Sequence, residues 1–132
     1  MVPRMKRALS FSLYAGAAWN GAFAVAVVLI PDLCGRLLQL PLPDPRFYLW
    51  LLSIFLGLSA ATYVLGGRDP ERQRGNVWVA ICGRFTGAGV LGILCVVERL
   101  WALGALAAVD LLFGALHLWL LLRRAQGQIN SA

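Results

Sequence analysis

Charge is scarce in this sequence: only 14% of its 132 residues are Asp, Glu, Lys or Arg, where a soluble domain carries about a quarter. Acid is scarcest, with six Asp+Glu against twelve Lys+Arg. So little charge excludes an ordinary solvated surface. Histidine occurs once, as His117. The three cysteines, Cys34, Cys82 and Cys95, form no C-x-x-C pair. A zinc site or redox dithiol therefore has no spacing to rest on. No nucleophile–base motif or phosphate loop is present. The sequence identifies no reaction, and its reading is non-catalytic.

What it has in excess is apolar side chain. Hydrophobic residues make up 60% of the chain, and its mean hydropathy is +0.73. A chain this small has too much surface to hide such a surplus inside itself. The surplus must face lipid. The net charge of +6 would suggest nucleic acid in a soluble protein. Here the basic residues sit at the ends of apolar runs, as a membrane surface prefers. No basic groove with interleaved aromatics appears, so nucleic acid is not an expected partner.

Four apolar stretches are expected to be transmembrane helices: Ala8–Ile30, Phe47–Leu65, Val77–Val97 and Leu100–Leu122. Each is near the ~20 residues that cross a ~30 Å hydrocarbon core as helix. A helix pairs its own backbone groups, as lipid requires. Strands fit poorly, because the runs are long and lack period-2 polar alternation. Pro31-Asp32 ends the first span, and Pro41, Pro43 and Pro45 lead into the second. The segment from Gly66 to Gly75 separates spans two and three, and Glu98-Arg99 makes a tight hairpin between three and four. Trp50, Trp78, Trp101 and Trp119 lie near span ends, where indole favours the interface. Gly127–Ala132 reads as a short polar, mobile tail. The expectation is one all-α domain, an integral membrane four-helix bundle.

Orientation follows from Lys and Arg. Arg4, Lys6, Arg7, Arg68, Arg72, Arg74, Arg123 and Arg124 fall on one side, and Arg36, Arg46 and Arg99 on the other. The positive-inside bias places both termini and the middle loop in the cytoplasm. A cleaved signal peptide is disfavoured, since apolar sequence continues well past Ala15-Gly16-Ala17 to Ile30.

An ionisable group inside such a span is costly, by about 2.5–3.5 kcal/mol for a central Arg or Asp. It should face other helices and find a partner. The candidates are Asn20, Arg84, Asp110 and His117. At ~1.5 Å rise per residue, Asn20 and Asp110 lie ~18 Å from the cytoplasmic end, Arg84 ~10 Å and His117 ~8 Å. Asp110, Gly114 and His117 share one face at i, i+4, i+7. Arg84–Asp110 is the natural ion pair, with Asn20 as a further interhelical hydrogen-bond partner. The pair reads first as structural, and second as the lining of a pocket or proton-linked path. His117 reads first as hydrogen-bonded within the bundle or near the interface. As a lone axial ligand it could serve a tetrapyrrole, and bis-His haem is excluded by the single histidine. The cofactor is otherwise unknown.

Small residues recur at helical spacing: Gly16 with Asn20, Gly57 with Ala61, and Gly83 with Gly87. Such notches let helices approach closely. Cys34 and Cys95 both fall on the outer side and read as free thiols rather than a disulfide.

Trp19-Asn20-Gly21 and Pro31 in span one, Gly57, Tyr63, Asp69-Pro70, Arg72 and Arg74 through span two and its loop, Gly83-Arg84 in span three, and Asp110-Leu111 in span four form a scattered pattern. It resembles small four-helix bacterial inner-membrane proteins of the DoxX-like and related uncharacterised families. The resemblance implies a multi-pass helical bundle in the inner membrane. Some DoxX-like proteins accompany quinone-linked redox systems, so it also carries a pointer to redox membranes. Two departures are visible. Span three has Gly-Arg where the family pattern has Gly-Lys, and His117 stands where an apolar or aromatic residue is expected.

The leading expectation is an accessory or structural subunit packing against other membrane chains, or against itself, in the lipid bilayer. The alternatives are a lipid, quinone or small-molecule binder or transporter using the Arg84–Asp110–Asn20 pocket, and a pigment or haem subunit using His117. The small multidrug exporters, also four short spans, carry an acid in span one. This chain has Asn20 there and no acid, which counts against that kind of transporter.

Overall fold

The computed structural model describes residues 3–129, with side chains for residues 6–123. Its order is α1 (Pro3–Leu29), α2 (Pro31–Leu38), α3 (Phe47–Arg68), α4 (Arg74–Val97) and α5 (Trp101–Ile129). No strand occurs among the described residues. Four helices are long and apolar enough to cross a membrane, over Lys6–Leu29, Phe47–Arg68, Arg74–Val97 and Trp101–Arg123. The shortest, with 22 residues, is ~33 Å long. Large apolar side chains such as Phe11, Val96, Trp101 and Leu112 point outward, each at least 70% exposed. Such a surface suits lipid and not water.

The four long helices cover the expected apolar runs, and the connections differ. Pro31 does end the first span. It lacks an N–H and forces Ile30 out of helical geometry (φ −131°, ψ 52°). Pro31 then opens a new helix, α2, because proline suits the first helical position. This eight-residue helix was not expected. It closes at Gln39, which takes the left-handed conformation (φ 59°). There the Gln39 and Leu40 N–H groups donate to the carbonyls of Arg36 and Gly35.

Gly66 and Gly67 were expected in the middle loop and instead lie in α3, buried. A methyl group on Gly66 would sit 3.4 Å from Val77, and one on Gly67 would sit 3.2 Å from the Tyr14 ring. These glycines let three helices approach rather than breaking one. The loop is therefore only residues 69–73. Asp69 and Glu71 receive Lys6 Nζ at 3.5 and 3.9 Å. Desolvation raises the Asp69 carboxyl, and the Glu71 and Arg72 backbone N–H groups with the Lys6 ammonium together outweigh it and hold the carboxyl below the usual value. Between α4 and α5, Arg99 (φ 56°) reverses the chain as the expected hairpin.

Helix α5 continues to Ile129, so Gly127 and Gln128, expected in a mobile tail, are helical. Residues 130–132 of that tail lie outside the described residues, as do the side chains of Arg4 and Arg124.

Helix α1 packs along α3 and α4 along α5, while α3–α4 and α1–α5 touch over shorter lengths. The main core cluster lies toward the chain termini. It joins Leu9, Leu13 and Ala17 of α1, Tyr63 of α3, Val77, Ala80 and Ile81 of α4, and Leu120 of α5. Toward α2 the helices leave space.

Candidate functional site: a buried Arg84 at the floor of an apolar cavity

Arg84 projects from α4 into the middle of the helices and is 4% exposed. Two glycines make room for it. A methyl group on Gly114 would lie 3.2 Å from Arg84 Cβ, and one on Gly16 would lie 3.2 Å from Nη2. The expected pair is present: Arg84 Nη1 donates to Asp110 Oδ1. Arg84 Nη2 donates to the Gly16 carbonyl at 3.2 Å. The guanidinium also lies 5.0 Å from the Tyr63 ring centre and 4.9 Å from that of Phe113, a cation–π arrangement. Arg84 thus reaches α1, α3 and α5 from α4. Its Nε alone is buried without a hydrogen bond.

Asn20 lies beside this pair but does not bond to it. Its Nδ2 donates to Ser59 Oγ at 3.1 Å, tying α1 to α3. Ser59 was missed from sequence, because a serine in an apolar run gives little signal. Tyr63 and Phe113 were not expected at the pair either. Tyr63 is 2% exposed and donates its hydroxyl to the Ala80 carbonyl at 3.3 Å.

His117 was expected to be hydrogen-bonded within the bundle or near the interface. It is fully buried, yet neither ring nitrogen has a hydrogen bond of ordinary geometry. The Ser12 backbone is its hydrogen-bonding neighbour. Otherwise its neighbours offer little: Tyr63 and Phe113 rings stand 6.0 and 5.9 Å away, centre to centre, and Tyr63 has given its hydroxyl elsewhere. Among the described residues no cluster of three His, Cys, Asp or Glu side chains is arranged to hold a metal.

The small-residue pairs divide. Gly16 accommodates Arg84, and Gly87 accommodates Asp110, whose Oδ2 would lie 2.7 Å from an added methyl group. Gly87 is thus a seat for a carboxylate rather than a notch for a helix. Gly57 and Gly83 face open space, with nothing within 4 Å of an added methyl group. Cys34, Cys82 and Cys95 are all free.

Above the pair lies a cavity of about 350 Å³ to which every helix contributes. Arg84, Asp110, Asn20, Ser59 and Tyr63 supply its polar groups. Its walls are apolar, with Trp19, Phe23, Leu52, Leu56, Leu91, Leu103 and Leu106 prominent, and Leu38 and Leu40 close it near α2. An apolar enclosure with a few convergent polar groups is the usual form of a small-molecule site. Compared with known proteins, the chain matches no family, no curated sequence and no solved structure.

Proposed function

We propose that this chain is a non-catalytic membrane protein that binds a small amphipathic molecule drawn from the bilayer, with the molecule's polar end at Arg84–Asp110. The proposal includes a four-helix bundle in a bacterial inner membrane, with both termini cytoplasmic. The observation that carries it is the placement of the membrane-buried polar groups. Asp110, Asn20, Ser59 and Arg84 all line one apolar cavity. A pair serving only to lock helices needs no cavity beside it. The Lys/Arg distribution supports the orientation, and a reporter fused after Ala132 is expected to be cytoplasmic, with one inserted at Pro43 periplasmic. A periplasmic C-terminal reporter contradicts the orientation.

Gly83 supplies the test of binding. It lines the cavity, is exposed and has nothing within 4 Å of an added methyl group, so Gly83→Leu adds bulk at the cavity wall without a backbone clash. Native mass spectrometry after gentle extraction is expected to find wild-type protein carrying one amphiphile and Gly83→Leu protein without it. Wild-type protein that is always bare argues against the proposal.

A second reading, an accessory subunit or self-associating chain, is favoured by α3. Gly57 and Ala61 are exposed on one face of it, and nothing lies within 4 Å of a methyl group added to Gly57. That is where a neighbouring helix approaches closely. The same mass measurement distinguishes it by the presence of a second chain.

A further inference from the structure

Binding in the cavity leaves open which amphiphile fits, and the two members of the ion pair are not equally available to it. Arg84 is the less open of the two. One terminal nitrogen donates to Asp110 and the other to Gly16, the guanidinium lies 5.0 and 4.9 Å from the Tyr63 and Phe113 ring centres, and its side chain is 4% exposed against 18% for Asp110. Asp110 uses Oδ1 on Arg84. Its Oδ2 lies over Gly87, and both residues line the cavity. A carboxylate paired with arginine is an acceptor only. The charged group a ligand meets is therefore an acceptor, although the nearest full positive charge belongs to an arginine.

Charge balance narrows the head further. Arg84 and Asp110 cancel. An ammonium head would leave a net positive charge in the membrane interior, and a carboxylate or phosphate head would face Asp110 with like charge. Both are unfavourable where water is absent. A neutral donor, a hydroxyl, satisfies Asp110 and keeps the site uncharged.

The tail has a path. A second cavity of about 240 Å³ lies beneath α2 and the proline-rich segment after it. It shares Phe23, Leu38, Leu40 and Leu52 with the first, and its remaining walls are also predominantly apolar. The two cavities adjoin at these four shared side chains.

We propose that the ligand is a long-chain molecule with a neutral hydroxyl head that donates to Asp110, its apolar chain running beneath α2. This rests on the cavity being a binding site. The shared chemistry belongs both to free fatty alcohols and to lipids with a free hydroxyl, such as diacylglycerol.

The test uses the full chain in detergent micelles with five probes: dodecanol, dioleoylglycerol, dodecyl methyl ether, dodecylamine and dodecanoate. Saturable gain in thermal stability gives each affinity. Dodecanol or dioleoylglycerol is expected to bind about ten- to hundred-fold more tightly than the ether, the range of a hydrogen bond to a charged group. Whichever of the two binds more tightly identifies the source. Gly83→Leu is expected to abolish the gain while keeping the unliganded melting temperature, so that loss of binding is not loss of fold. Ether binding equal to the alcohol overturns the hydroxyl assignment and leaves the cavity as a binding site. Tighter binding of the amine or the carboxylate overturns the neutral head. No saturable effect from any probe overturns both this inference and the binding function.

Discussion

Asp110→Ala is expected to destabilise the protein more than Arg84→Met, although both break the same ion pair. Removing Asp110 leaves a guanidinium that is 4% exposed and retains only the Gly16 carbonyl as a hydrogen-bond partner. Arginine does not shed its proton in a protein, so the charge stays. Removing Arg84 leaves a carboxyl that is 18% exposed. It also borders the cavity. Methionine refills much of the space between Tyr63 and Phe113. Stranding one member of a buried pair costs about 3–5 kcal/mol in soluble proteins. Interhelical polar couplings in membranes run nearer ~1 kcal/mol, so Asp110→Ala is expected between those figures. The double variant Asp110→Ala with Arg84→Met is expected to be milder than the sum. Thermal unfolding in one detergent measures all four proteins. Strict additivity means that the two residues do not interact.

Gly87→Ala is the second large effect, and helix propensity alone would rank it harmless. Alanine is a better helix former than glycine by about 1 kcal/mol, and Gly87 sits mid-helix in α4. The added methyl group, however, would lie 2.7 Å from Asp110 Oδ2. The carboxylate must then rotate off Arg84 or push α5 away. Gly87→Ala is expected to lose about 1–3 kcal/mol, as overpacking does, and to lose the amphiphile as well. Gly92→Ala is the control. It lies on the same helix with nothing within 4 Å of an added methyl group, so it is expected to be neutral or stabilising. Equal behaviour of the two variants contradicts the placement of Asp110 over Gly87.

The parts legible in the sequence are those where lipid makes a rule strict. Charges vanish from the spans, so four helices stand out. Arg84 and Asp110 must find partners, and the short turn at Arg99 brings their helices side by side. Inside an apolar helix the signals fade. A span that is hydrophobic all round does not reveal which face meets lipid and which meets protein. That is why Tyr63 and Phe113 were not seen as covers for Arg84. Gly66 and Gly67 look like loop residues until Tyr14 and Val77 are placed against them. The eight residues of α2 are too short to register among runs of twenty. His117 was expected to find a hydrogen bond because buried polar groups generally do, and the Ser12 backbone beside it is a partner that no side-chain pattern reveals.

Trp19 offers the most direct test of the cavity, because it is the one tryptophan among its lining residues. In a variant keeping Trp19 and replacing Trp50, Trp78, Trp101 and Trp119 with Phe, fluorescence is measured in bilayers as a brominated long-chain alcohol is added. Quenching is expected to saturate at low probe content, and to lose that saturable phase when Gly83→Leu adds bulk at the cavity wall. Quenching that rises in simple proportion to probe content, unchanged by Gly83→Leu, would mean that Trp19 meets the probe only as bulk lipid and that no amphiphile enters the cavity.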